Sequence, residues 1–432
     1  DGNMIIENDN HNHNGNGNGN DSNNFDANPL PLSTCNIMHE YTLYNFYNDE
    51  LFHVNHVDHA NHANQDDEEQ QYESIDEDVA TTLQPKLLGN GSFRSAYRLA
   101  NIYVSSDGST NTNTNNKSIT NNNNNNYSNN YNGNDHSYDY SGYEYVALKT
   151  LRDVDDGRHY PDSHWLTTHR IDALFYERLS SSRHIMDIYA FCGNGGLFEF
   201  AGGKLSRAIR DGDFGNGNGN SGNGNESGDG NGLDQGKRLD IAIQVVRGVA
   251  DMHTIESRNG HSAFVHSDLK VDQFVQGEDG LFKLNDFNKG HLMYWNSTSN
   301  ADTCPYAYRK GPNPNKYAAP EEYRDDYRNE KLDVYSMGNV LYFILVGDDP
   351  FGELEKEEAV ALLRRGKKPK IDVELRESED VVDRALVRAV EMCYVHDWKE
   401  RRTAMDILNI LLEAKEKMKM QGKMDMNMNM RT

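Results

Sequence analysis

The chain has 432 residues and a formal net charge of −25, with a sequence pI near 5.0, a balance that argues against nucleic acid or an anionic membrane surface as its main partner. The longest apolar run, VLYFILV at 340–346, is too short to span a bilayer. Four scattered cysteines with no CxxC pair give neither zinc-site spacing nor a disulfide framework, so a reducing, cytoplasmic setting is the default expectation, with secretion or anchoring left open because the sequence starts at Asp1.

Residues 1–79 are rich in Asn, Gly, His and Asp and end in the acidic run DDEEQQYESIDED. They lack periodic apolar spacing and cannot offset the entropy of ordering, so they are predicted to be a disordered tail. Two further low-complexity blocks, 105–141 and 211–236, are predicted to be disordered insertions within a globular region. Ahead of the first block, LLGNGSFRSAYRLA reads as a strand, a Gly turn and a second strand, and after it VALKTL reads as a third strand. Helical spacing covers Ser163–Leu179, and IYAFC and GLFEFA give two more short strands. From 237 the pattern becomes mostly helical: 239–253, 331–346, 353–365, 380–393 and 404–417 each repeat apolar residues at helical intervals. The basic run after Lys417 is expected to be a frayed helix end leading into a disordered tail, 418–432. The expected class is α+β, with a β-rich lobe over 82–201 and a helical lobe over 237–417.

Chemistry concentrates in a few places. Gly89, Gly91 and Phe93 make a G-x-G-x-F run between two strands, where glycines let backbone N–H groups approach phosphate oxygens; the same run serves equally well as a structural turn. Lys149 follows in VALK. Further on, HSDLKVDQFV and LNDFN supply Asp268, Lys270, Gln273 and Asp286 within one short stretch.

That stretch resembles the H-R-D-L-x-x-x-N and D-F-G segments of the eukaryotic protein kinases, with Ser267, Gln273 and Asn288 as departures. Ala319-Pro320-Glu321 is similar to the family's A-P-E, and DVYSMGNV carries Asp333 where the family has the acid that braces the catalytic loop. Arg401 stands where the family pairs an Arg with the A-P-E glutamate, here Glu321. The resemblance covers 82–417. It implies a bilobal kinase-like fold and an ATP- and Mg2+-dependent transfer of the γ-phosphoryl group to Ser/Thr hydroxyls of a protein substrate.

Residue by residue, the resemblance makes Asp268 the group that orients or deprotonates the attacking hydroxyl, and Lys270 the neutraliser of charge on the γ-phosphate. Asp286 becomes the main Mg2+ ligand and Gln273 a second, longer by one methylene than the family's Asn. Lys149 would neutralise the α- and β-phosphates. Its acidic partner would be Asp172 or Glu177, with the spacing to Phe175 and Leu179 favouring Asp172. Glu199 would open the hinge that holds adenine. Arg94 replaces the third loop glycine and would either close the loop tip on phosphate or point into solvent. Asn288 replaces a glycine and, among non-glycine residues, is one of the least penalised at positive φ. The departures also admit a pseudokinase acting as a binding or scaffolding module. The H-x-D start and the Q-F…N-D pattern are similar to some small-molecule and secretory-pathway glycan kinases.

Overall fold

The structure, a computed structural model, describes residues 85–90, 94–104, 140–151, 163–212, 233–257, 260–293, 315–323, 328–352 and 354–429, all within one unit of the chain. The tail 1–79, nearly all of both predicted insertions, Gly91, Phe93 and the Ser/Thr/Tyr-bearing stretch 297–308 lie outside these residues.

The first lobe is a five-stranded antiparallel sheet. Its strands are β1 (Lys86–Asn90), β2 (Arg94–Val104), β3 (Tyr140–Leu151), β4 (Ile188–Cys192) and β5 (Gly195–Glu199), in the order β1-β2-β3-β5-β4. Alternation buries Leu99, Val146, Leu148, Ala190 and Leu197 as a small core of their own. Helix α1 (Ser163–Leu179) spans the segment with helical apolar spacing. The scattered cysteines predict no disulfide framework, yet Cys192 at the end of β4 is disulfide-bonded; Cys393 is a free, buried thiol.

A short strand β6 (Ala201–Lys204) and helix α2 (Leu205–Asp211) lead to the helical lobe. Helix α3 (Gln235–Thr254) begins on Asp234, whose carboxylate accepts from the backbone N–H of Lys237. Strands β7 (Phe264–Val265), β8 (Phe274–Gly277), β9 (Phe282–Leu284) and β10 (His291–Leu292) follow, with a single 3-10 turn at Val271–Gln273 just before β8. Then come α4 (Lys331–Val346), α5 (Lys356–Arg364), α6 (Val373–Arg376), α7 (Val381–Cys393) and α8 (Ala404–Asn429). Helix α4 is buried along nearly its whole length, which explains why VLYFILV is apolar on every side. Gly338 lets α4 and α7 cross closely: a Cβ there would lie 2.5 Å from that of Cys393. Residues 418–429, expected as a disordered tail, instead continue α8. Met, Lys and Gln are strong helix formers, so the helix outlasts its apolar stripe. No helix of the described residues is long and apolar enough to cross a membrane.

One backbone seam joins the lobes. The Leu284 N–H donates to His184 O at 2.8 Å, and the Met186 N–H donates back to Leu284 O at 3.0 Å. This makes Ile185 a parallel bridge partner of Leu284, while Leu284 pairs on its other side with Phe274 of β8. Beside the seam, Glu199 at the end of β5 binds Lys283 of β9 at 2.5 Å.

Candidate functional site

The loop that carries Asp268 is held from beneath by Asp333. This buried carboxylate, in the first turn of α4, accepts the backbone N–H of His266 at 2.8 Å and that of Ser267 at 2.9 Å. It also lies 3.1 Å from Nε2 of His253. Ser267 sits at φ 62, a left-handed conformation that costs free energy for a non-glycine residue and is held here by those two bonds. His266 Nε2 faces the carbonyl of Asn285 at 3.2 Å, and because a carbonyl only accepts, this nitrogen carries the proton. Nδ1 then accepts the Asp268 N–H at 3.3 Å.

Asp268 is mostly buried and surrounded by donors. Lys289 Nζ lies 2.9 Å from Oδ2, Lys270 Nζ at 4.0 Å, and the amide nitrogen of Gln273 donates to the same oxygen at 3.4 Å. The structure therefore brings Asp268, Lys270 and Gln273 together and adds Lys289. That lysine follows D-F-N directly but fits no part of the motif that singled out its neighbours.

Asp286 is placed by the seam strand β9 and the turn after it. Its own φ is 66, whereas Asn288 is not among the described non-glycine residues at positive φ. The strained position is thus the acid, not the residue that replaces glycine. The turn closes through Gly290 N–H to Phe287 O at 2.7 Å, and Gly290 is needed because a Cβ would meet the Phe175 ring at 2.7 Å. Phe287 is fully buried between Phe175, Tyr176 and His266, at centroid distances of 5.4, 4.9 and 5.2 Å. It packs between the lobes instead of lining the cleft.

Above Asp286 the expected pairing of Lys149 with the helix acid is not made. Of the two candidates on α1, Asp172 is buried and faces the site, while Glu177 is partly exposed. The cation on Asp172 is Arg94, whose Nη1 bonds Asp172 Oδ2 and whose Nη2 reaches Asp286 Oδ1 at 2.5 Å. Arg94 points neither at solvent nor at a loop tip; it spans the two acids. Sheet register explains the direction. Arg94 opposes Leu151, and Lys149 opposes Ala96, so Arg94 and Lys149 are diagonal neighbours on one face of the sheet.

Lys149 is turned to a different set of partners. Its ammonium donates to the Tyr176 hydroxyl at 2.9 Å and to Asn285 Oδ1 at 3.0 Å, over the rings of Phe198 and Tyr176. The Tyr176 hydroxyl in turn donates to Asn285 Oδ1 at 2.5 Å and accepts the Asp286 N–H at 2.7 Å. Tyr176 and Asn285 thus hold both the lysine and the acid in place. Tyr176 belongs to no motif, and its one available signal is helical spacing, one turn after Asp172; Asn285 stands directly before Asp286 in LNDFN, where no role is read for it.

The electrostatics follow the geometry. Burial lowers the pKa of Lys149, reinforced by the Arg94 cation beside it and opposed by Asp172 and Asp286. For Asp172, burial works upward, but Arg94 and then Lys149 outweigh it and hold its carboxyl below the usual range. Burial also works against the charge on Arg94, yet Asp172 and Asp286 carry its pKa above normal. Neighbouring His169 is pushed down to about 4, first by burial and then by Arg94, and so is neutral near pH 7. At the end of β5, the Glu199 carboxylate, expected to open the hinge, binds Lys283 and accepts the Asp187 N–H at 3.2 Å. Burial pulls Lys283 down, but Glu199 and then Asp279 raise its pKa above normal.

At the far end of the helical lobe, Arg401 forms a two-pronged ion pair with Glu321, at 2.6 and 3.0 Å. Of the site residues expected at the Gly-rich loop, Gly89 lies in β1 with open space where a Cβ would be. Gly91 and Phe93 lie outside the described residues.

Comparison with known proteins bears on this arrangement. Residues 224–411 match the family described as Protein kinase domain. This region is similar to the protein kinase domain family. The kinase domain match contains Asp268, Lys270, Gln273, Asp286, Glu321, Asp333 and Arg401, and stops short of Arg94, Lys149, Asp172 and Glu199. Three curated relatives illustrate the likeness. The chain is 26% identical over 181 residues to a probable serine/threonine-protein kinase, SIS8, of Arabidopsis thaliana, covering 41% of this chain and 15% of that protein. It is 27% identical over 195 residues to the serine/threonine-protein kinase VIK of the same plant, covering 43% and 39%. To the actin-regulating kinase PRK1 of Saccharomyces cerevisiae it is 24% identical over 213 residues, covering 48% and 22%. The chain therefore spans well under half the length of these relatives. Its antiparallel sheet followed by a helical lobe has the architecture of the kinase fold.

Proposed function

We propose that this chain is an ATP- and Mg2+-dependent protein kinase that transfers the γ-phosphoryl group to Ser/Thr hydroxyls of a protein substrate. The observation that carries the reading is Asp268 on a loop fixed by Asp333, with Lys289 and Lys270 beside it. A carboxylate held this way can accept or orient a hydroxyl hydrogen, and the lysines offset negative charge that grows nearby.

The donor set suits a hard cation. Among the described residues no group of three or more His, Cys, Asp or Glu side chains could hold a metal unaided. One carboxylate, Asp286, with the Gln273 amide oxygen in reserve, is the sparse protein share that Mg2+ takes when phosphates and water complete its shell. Bound there, the ion would neutralise phosphate charge. This chain's own residues position the hydroxyl, through Asp268.

A second reading, a nucleotide-binding module without transfer, is favoured by one feature: Arg94 sits on the acid that would bind Mg2+. The deciding experiment follows γ-phosphate transfer from labelled ATP to a generic protein substrate, beside Asp268→Asn. Transfer that collapses in the variant supports the kinase. ATP binding with no transfer in either protein supports the module.

A further inference from the structure

We infer that Arg94, rather than Lys149, is the cation through which the sheet holds the nucleotide's phosphates. This rests on the reading of the cleft as a nucleotide site. Both side chains leave the same face of the sheet as diagonal neighbours, and both approach Asp172 and Asp286. They divide the ground unequally. Arg94 holds Asp172 and Asp286 at once, the fork of its guanidinium spanning two carboxylates. Lys149 is engaged instead by Tyr176, Asn285 and two aromatic rings.

Asp172 is one methylene shorter than a glutamate and is fully buried, so a partner has to come to it. The long arm of Arg94 does so from the end of β2 next to the Gly-rich turn. A phosphate chain whose metal sits on Asp286 would lie beside the guanidinium that already bonds that carboxylate, while the ammonium is taken up by Tyr176 and Asn285. In exchanging Asp286 for phosphate oxygens, Arg94 would keep Asp172 as its anchor and free the carboxylate for the metal. Lys149 then acts as a positioning residue that fixes Tyr176 and Asn285 under Asp286.

The test measures the affinity of the full chain for ATP and for adenosine, both with Mg2+, so that the ratio isolates the phosphate contribution. The proteins are wild type, Arg94→Met, Lys149→Met and the double variant Arg94→Met/Asp172→Asn. The double variant leaves no uncompensated buried carboxylate at position 172 and replaces the single Arg94 variant in the comparison if that variant fails to fold. Thermal melting by circular dichroism reports folding. Loss of Arg94 should cut the ATP-over-adenosine ratio by about tenfold to a hundredfold, with adenosine affinity kept. Lys149→Met should cut the ratio less. A larger loss for Lys149→Met, or an unchanged or increased ratio on removing Arg94, overturns the assignment. Wild-type protein that binds neither ligand overturns the nucleotide reading together with it. ATP binding without phosphate transfer sinks only the kinase reading, and the Arg94 ratio still decides this assignment.

Discussion

Arg401 and Glu321 meet through two parallel hydrogen bonds, Nη1 to Oε1 at 2.6 Å and Nη2 to Oε2 at 3.0 Å, with both side chains sealed from solvent. The guanidinium also bonds the carbonyls of Lys331 and Val395 and lies over the Tyr335 ring. One arginine thus ties the segment before α4, the start of α4 and the approach to α8 together. Arg401→Met should strand the Glu321 charge and cost about 3–5 kcal/mol. Adding Glu321→Leu should recover part of that loss. Urea unfolding of the three proteins checks both statements.

Asp333→Ala should remove the acceptor for two backbone N–H groups, one of them on strained Ser267. Each lost charged hydrogen bond is worth about 1.5–3 kcal/mol. Phosphotransfer should fall further than ATP affinity, because the released loop carries Asp268 and not the nucleotide. Parallel binding and transfer assays separate the two effects.

Tyr176→Phe keeps the ring contacts with Phe198 and Phe287 but deletes the hydroxyl shared by Lys149, Asn285 and the Asp286 N–H. A destabilisation of about 1–3 kcal/mol is expected. Mg2+-dependent ATP binding should weaken while adenosine binding holds, since the hydroxyl supports Asp286 and touches no part of the hinge. Titration with and without Mg2+ reads this out.

Glu322 supplies a pH dependence. Burial raises its pKa from an ordinary 4.5 to about 7, against the Ala319 N–H and Arg328 that favour the charge. Between those two values the folded chain holds a proton that the unfolded chain has released. The resulting stability is full below about pH 4.5 and is lost as pH rises through about 7, a change of about 3 kcal/mol. Glu322→Gln should flatten that part of the stability profile, measured by urea unfolding from pH 5 to 8.

The helices and the central loop are legible in the sequence because their signals are local: apolar periodicity for α1 of the first lobe and for α3, α4 and α7 of the helical lobe, and a linear motif for the stretch from Asp268 to Asp286. Asp333 and Arg401 follow from their position in that order. Partner choice is what the sequence does not supply. The Arg94–Asp172 contact spans 78 residues and depends on strand register across a long low-complexity block, so the motif points to Lys149 instead. Lys289 and Tyr176 are polar groups with no motif of their own, Asn285 sits in LNDFN without a role attached to it, and only the folded backbone turns them towards the acids. The extension of α8 past Lys417 escapes notice because helix-forming residues without an apolar stripe look the same as a solvated tail.

The seam at Leu284 has a mechanical consequence. The strand that delivers Asp286 is hydrogen-bonded on one edge to Phe274 and its neighbours and on the other to His184 and Met186, which follow α1. The floor of the cleft is therefore one continuous ribbon shared by both lobes. Sliding them apart would break backbone bonds, whereas turning them about the ribbon would not. The cleft should open and shut like a book along its spine, with Asp286 close to the axis and Arg94, out on β2, sweeping the wider arc.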